Sequence, residues 1–271
     1  MLRMYRHRAA VTVPPAGGLA VGYGRAVSKP LVTAARHGNV CVVRLQREHK
    51  LNALSEELAG QFVELMGSDE VTGSRALVIA GSQRAFSAGA DLTEFTDPSP
   101  EETVRYYRGP GRIWEALPRL PQPSVAAIAG WAVGGGLELA LSADLRVADT
   151  TARFQLTEVS LGILPSAGGM TRLTRLLGTA RAKELILLGE RFDAARALEL
   201  GVVNRVVGEG EAEAAALEWA ARLAEQPRLS LQLTRELIDR SAEMSLEASL
   251  AAEKLAQGML THSADAFRAD R

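Results

Sequence analysis

Two short apolar runs, RALVIAG (75–81) and SVAAIAG (124–130), most constrain what this chain can fold into. Each has the length of a strand and, past its first residue, no polar position, so each reads as a strand buried on both faces. The small residues of the second run imply neighbours that pack closely. Around these runs, LVTAARHGNVCVVRL (31–45) reads as a hairpin turning at Gly38-Asn39, with an apolar strand at 40–45. NALSEELAGQFVELMG follows as an amphipathic helix, with Leu54, Leu58, Phe62 and Leu65 at helical spacing and Ser55 as its cap. FSAGADL (86–92) reads as a tight turn after a short strand, and TDPSPEE (96–102) as a loop entering a helix that ends near Pro118. DLRVAD (144–149) and ARFQL (152–156) read as strands, and SAGGMTRLTRLLG (166–178) as a helix starting at a glycine pair. From Thr179 onward the pattern is helical, apart from a short strand at GVVNRVV (201–207); EAEAAALEWAARLAEQ (211–226) is strongly helix-forming. Strands alternate with helices and then helices take over, which is an α/β core with a helical C-terminal part.

A chain of 271 residues suits one domain, with or without a small appendage. A formal net charge of -1 provides no global field to recruit nucleic acid or an anionic membrane. No apolar run approaches the ~20 residues that span a bilayer. The single cysteine, Cys41, sits in an apolar strand; it excludes an internal disulfide and points to a reducing compartment. Residues 1–30 read as an irregular or disordered extension, with 31–205 as the core and 206–271 as the helical region. The first 47 residues lack Asp and Glu but carry several arginines, among them Arg3, Arg6 and Arg8. Serine is scarce there and Pro and Gly interrupt any helix, so a cytoplasmic, bacterial-type protein is the expectation. A mitochondrial transit segment is the alternative.

Chemistry concentrates between Trp131 and Gly169. Glu138 is flanked by Leu137, Leu139, Ala140 and Leu141, just after the glycine triplet 134–136; Glu158 lies in FQLTEVSLGILP. Neither has a cation beside it in sequence. Desolvation raises a buried carboxyl toward neutral pH, where it serves as a general acid or base. A glutamate in a helix is usually solvated surface, and Glu158 after Thr157 also reads as an ordinary helix-start acid. The apolar flanks, the buried strand ahead of Glu138 and the glycines that admit a ligand to the backbone favour the functional reading.

FSAGAD nearly matches a nucleophile elbow around Ser87, but position 85 is Ala, and His7, His37, His49 and His262 offer no convincing base. The better reading is a turn that points a backbone N–H into a site. With the turn at 134–136 it would supply two donors to one oxyanion. Phosphate-binding glycine loops and metal-ligand spacings are absent from the sequence, and REHK (47–50) reads as an exposed polar loop.

GWAVGGGLELALSADLRVAD, FQLTEVSLGILPSAGGMTRLTRLLG, FSAGADL and VVRLQREHKLNALSEEL together resemble the enoyl-CoA hydratase/isomerase (crotonase) family across residues 31–265. GERFDAARALELGVVNRVV resembles the family segment that joins core to C-terminal helices. The resemblance implies a spiral of ββα repeats, a C-terminal helical trimerisation region, and a homotrimer or dimer of trimers. It also implies an acyl-CoA thioester substrate with no further cofactor, and neither nucleic acid nor membrane as partner. By resemblance, Glu138 and Glu158 hold and activate water and deliver a proton to C2 of a 2-enoyl thioester, and Ala90 and Gly135 offer the oxyanion-hole N–H groups. Lys50, Leu51, Ala53, Ala88, Asp91, Leu92, Gly134 and Pro165 would line the path of CoA and substrate. Retention of both glutamates favours a hydratase over an isomerase or another acyl-CoA reaction of the family.

The chain departs from the family pattern at Gln46 and Glu48, where Asn and Pro are usual, and at Ser166 and Met170, where Gly and Thr are frequent. Its end at Arg271 precedes the usual C-terminal helix. A non-catalytic or RNA-binding relative is the rival from another class. The helix at 54–66 argues against it, since it carries Glu56, Glu57 and Glu64 and no Lys or Arg.

Overall fold

The computed structural model describes residues 29–94 and 99–261. The expectations for residues 1–28 and for the last ten residues lie outside the described residues. β1 (Val32–His37) and β2 (Val40–Leu45) form the expected hairpin. α1 (Glu56–Leu65) begins where the Ser55 hydroxyl accepts the Leu58 N–H, and it buries Leu58, Ala59 and Phe62. A single turn, α2 (Asp69–Thr72), leads into β3 (Ala76–Ala80) and β4 (Ala85–Ser87). Next come α3 (Pro100–Arg108), α4 (Ile113–Ala116), β5 (Ser124–Ile128), β6 (Trp131–Val133) and α5 (Gly135–Leu141). β7 (Leu145–Asp149), β8 (Arg153–Gln155), α6 (Gly169–Leu188), β9 (Phe192–Asp193), α7 (Ala194–Leu200) and β10 (Arg205–Val207) complete the strands. The chain then continues through α8 (Ala212–Glu225), α9 (Arg228–Ser241) and α10 (Leu246–Thr261).

The strands fall into two sheets, ordered β1-β2-β3-β5-β7-β10 and β4-β6-β8-β9. β3, β5 and β7 run parallel in the first, and β4, β6 and β8 run parallel in the second. Each winding therefore contributes one strand to each sheet before returning: β3 then β4, β5 then β6, β7 then β8. This is the spiral of repeated windings that the family resemblance implies.

Alternation within the larger sheet explains the fully apolar runs. Cys41, Val43, Leu77, Ile79, Ala126 and Ile128 face one core together with Leu58 and Phe62 of α1 and with Phe86 and Phe154 of the second sheet. Val40, Val42, Ala76, Val78, Val125 and Val147 face another, closed by Ala215, Ala216, Ala220 and Ala224 of α8. That alanine stripe lets α8 lie close against the strands, burying both faces of the sheet. α9 and α10 differ, for neither contains a buried residue. α9 is fastened by Arg235, which pairs with Asp144 at 2.7 Å and donates to the Leu120 and Pro121 carbonyls. Among the described residues, no helix is long and apolar enough to cross a membrane.

Four local expectations change. The helix expected to run to Pro118 breaks at Gly109-Pro110 into α3, a tight turn and α4, because proline supplies no N–H to continue the ladder. The helix expected over 166–178 starts at Gly169 and runs on to Leu188 across a kink at Gly178. The strand at 201–207 shortens to β10, with Gly201 forming the left-handed cap of α7 and the next residues a turn. REHK is exposed at Glu48–Lys50 as expected, but its loop closes one 3₁₀ turn there.

Candidate active site

Glu138 and Glu158 reach one cavity by different routes. β6 delivers the chain to Gly134, and α5 begins at once, so Glu138 stands in its first turn with its own N–H bonded to the Gly134 carbonyl. Glu158 opens a 3₁₀ turn, Glu158–Leu161, that follows β8, the parallel neighbour of β6. Both side chains are buried, at 3% and 7% relative exposure, and both line a cavity of about 380 Å³. Each carboxylate rests on a glycine. A Cβ at Gly134 would lie 2.8 Å from Glu158 Oε1, and one at Gly169 would lie 2.8 Å from Glu138 Oε1. Gly134 also holds φ +50° and ψ -126°, a conformation side-chain-bearing residues avoid.

The two carboxyls differ in their partners. Glu138 Oε1 accepts the Ala167 N–H at 2.9 Å and the Gly169 N–H at 2.8 Å. Burial nevertheless pushes its pKa up to about 7; the two N–H donors and Arg172 pull it down and the Glu158 charge pushes it up. Burial likewise raises Glu158. Its Oε2 is buried with no hydrogen-bond partner among the described residues, which is costly unless something polar enters the cavity.

Two acceptor-free backbone N–H groups belong to residues that line the same space. The Ala88–Ala90 turn and the Gly134–Gly136 turn lie against each other, with the Ala90 nitrogen 3.6 Å from where a Gly135 Cβ would stand. Ala90 and Gly135 both line the cavity, and neither N–H has an acceptor among the described residues. The indole of Trp114 backs this corner, donating to the Gly135 carbonyl at 2.8 Å.

Of the other residues named from sequence, Asp91 also lines the cavity, but its carboxylate is engaged. Arg47 donates to it at 2.6 Å and Thr93 donates to it twice, holding its pKa down at about 2. Leu51 and Ala88 are joined by a hydrogen bond behind the wall, from the Ala88 N–H to the Leu51 carbonyl. The Ala53 carbonyl accepts from Arg47, and Gly134 and Pro165 stand behind the glutamates. Lys50 and Leu92 are exposed outside the lining. Ser87, set aside as a nucleophile, donates its hydroxyl to the Asn52 carbonyl and is fully buried. Ser166 lines the cavity and sits 3.3 Å from the Tyr107 hydroxyl, whereas Met170 lies outside it.

Sequence reasoning passed over Asn52, Trp114 and Arg172. Asn52 is fully buried at φ +54°, accepts the Arg47 N–H and donates to the Ala85 carbonyl, so it locks the 47–53 loop to β4. A left-handed Asn between two site segments is a readable turn signal. Trp114 lies in IWEAL, which reads only as an apolar helix face.

The two-sheet spiral, with two buried carboxyls and two acceptor-free backbone N–H groups at one cavity, is matched by one family of enzymes. The profile described as Enoyl-CoA hydratase/isomerase matches residues 35–268. The chain is 34% identical over 229 residues to the short-chain-enoyl-CoA hydratase of Clostridium acetobutylicum, covering 84% of this chain and 88% of that one. It is 37% identical over 221 residues to the 2,3-dehydroadipyl-CoA hydratase of Escherichia coli K12, covering 81% and 86%. A Thermobifida fusca structure of the enoyl-CoA hydratase type, solved in complex with CoA, superposes with a TM-score of 0.78 at 30% identity, over 84% of this chain and 91% of that one. The chain belongs to the enoyl-CoA hydratase/isomerase (crotonase) family and is an enzyme of that acyl-CoA-directed family.

Proposed function

We propose that this enzyme adds water, syn, across the double bond of a 2-enoyl-CoA thioester. The observation that carries the reading is the meeting, in one cavity, of two buried carboxyls with raised pKa values and two acceptor-free N–H groups. Between them the glutamates hold one proton. The carboxylate takes a proton from water while the water oxygen bonds C3, and the C2–C3 π electrons shift onto the thioester oxygen. The Ala90 and Gly135 N–H groups stabilise that enolate charge, as preorganised donors do at an oxyanion. The carboxyl then delivers its proton to C2, the enolate collapses, and the pair again holds one proton. Both glutamates line the same cavity, and both additions are made to one face of the double bond.

The CoA complex of the Thermobifida fusca relative supports a CoA thioester as substrate. The family resemblance runs pantetheine past Ala90–Leu92 and puts the adenosine end near Lys50–Ala53. α9 and α10 bury none of their own residues and expose Ile238, Leu246, Leu255 and Met259, which supports a homotrimer or a dimer of trimers joined through these helices. Loss of enoyl-thioester absorbance with crotonyl-, medium-chain and aryl-substituted enoyl-CoAs tests the reaction. Turnover on at least one is expected, and turnover on none overturns the proposal. Light scattering should give three or six times the 28.9 kDa chain mass.

A further inference from the structure

Arg172, in the first turn of α6, is the cation whose charge acts on Glu138, yet the proposed reaction does not use it. Its Nη1 donates to the Ala167 carbonyl at 2.9 Å, and its Nη2 donates to the Trp114 carbonyl at 2.8 Å. Each carbonyl belongs to a different half of the site. Ala167 holds Glu138 Oε1 through its own N–H, and Trp114 holds the Gly135 carbonyl through its indole. One guanidinium thus ties the loop that seats the acid to the ring that backs the donor turn. Gly168, next to that loop, leaves the guanidinium its place, since a Cβ there would collide with Nη1.

We propose that Arg172 is a positioning residue for the hydration assigned above, on which this inference rests: it fixes the distance between Glu138 and the Gly135 turn by bridging two carbonyls. The bridge needs a planar group with diverging donors, which arginine has and lysine lacks. Small displacements between reacting groups cost rate steeply, so the bridge should appear in kcat more than in binding. Its charge has a second effect. The charged groups facing Glu138 are Glu158 and Arg172, and Arg172 in turn faces Glu115 as well as Glu138. Removing the cation therefore favours the protonated form of the glutamate pair and moves its titration to higher pH.

Arg172→Met and Arg172→Lys separate the two effects. In Arg172→Met, kcat should fall about 10- to 100-fold with KM changing less than about threefold, and the pH–rate profile should move to higher pH. In Arg172→Lys the profile should return to its parental position while kcat stays depressed. If the methionine variant does not fold, Trp114→Phe replaces it; deleting the indole donor alone should lower kcat several-fold and leave the profile unmoved. A merely structural arginine would lower the melting temperature of these variants and leave kcat per folded site and the profile within about twofold and a few tenths of a pH unit of parent; that result overturns the proposal. Titration of the glutamate carboxyls by ¹³C NMR separates failure of this inference from failure of the hydratase reading. If the parent hydrates no enoyl-CoA, an upward shift in Arg172→Met still supports Arg172 and an unchanged midpoint overturns it.

Discussion

Glu138 and Asp91 line one cavity, both are buried, and their carboxyls are driven in opposite directions. Glu138 has backbone N–H partners but no ion pair among the described residues, and burial lifts it to about 7. Asp91 is held at about 2 by Thr93 and by Arg47 at 2.6 Å. Burial alone therefore does not make an acid useful near neutral pH; the absence of an immediate counter-ion does. Asp91 commits its charge to holding a loop, whereas Glu138 holds the labile proton that the proposed reaction needs.

The sharpest way to break the comparison is to neutralise each side. Glu138→Gln and Glu158→Gln should each lower turnover by roughly 10²- to 10⁴-fold, with acyl-CoA affinity measured by calorimetry little changed. Near-parental turnover in both variants would refute the mechanism. Stability should respond in the other sense. Glu138 has a folded pKa above its unfolded 4.5, so the folded state binds the proton more tightly and stability is lost as pH rises from about 4.5 through about 7. The gap is equivalent to about 3 kcal/mol at most. Glu138→Gln should therefore melt higher than the parent at pH 8 and no higher at pH 4, and a parental melting temperature at pH 8 would show that burial does not strain this group.

Asp91 carries the opposite sign. Its depressed pKa contributes stability above about 3.8 that is lost as pH falls through about 2. Asp91→Asn should cost about 2 kcal/mol in urea unfolding at pH 7, with any loss of kcat following from loop displacement rather than lost proton transfer. An unchanged unfolding midpoint would dissolve the contrast between the two carboxyls. The smallest effect belongs to the cavity's outer edge, where Tyr107 is half exposed and meets Ser166 at 3.3 Å. Tyr107→Phe should change kcat/KM for crotonyl-CoA by less than about threefold, the scale of one weak hydrogen bond. A larger loss for long-chain than for short-chain substrates would mark that edge as part of the acyl path.

Much of this was legible because local rules and the fold agree. The apolar runs at 75–81 and 124–130 became β3 and β5, Ser55 capped α1, and the glycine triplet opened α5 under Glu138. The two glutamates stood out because uncompensated acids in apolar segments are uncommon. The Gly109 break in the helix before Pro118 was less legible, since a helical pattern spans it and only Pro110 marks it. Asp91 gave no sign of its partner, because Arg47 lies 44 residues earlier and meets it only once α1, α2, β3 and β4 have folded between them.

By itself, then, the sequence determined the strand and helix alphabet, the apolar setting of Glu138 and Glu158, and the glycine turns beside them, because periodicity, capping and burial preference act over a few residues. Tertiary structure decided the rest. Parallel pairing of β4 with β6 set the Ala90 turn against the Gly135 turn, and pairing of β6 with β8 set Glu158 beside Glu138. Packing of α4 and α6 brought the Trp114 carbonyl and the Ala167 loop to one guanidinium on Arg172. A carboxyl's pKa depends on which charges and dipoles lie within a few ångströms, and only the folded chain sets those distances.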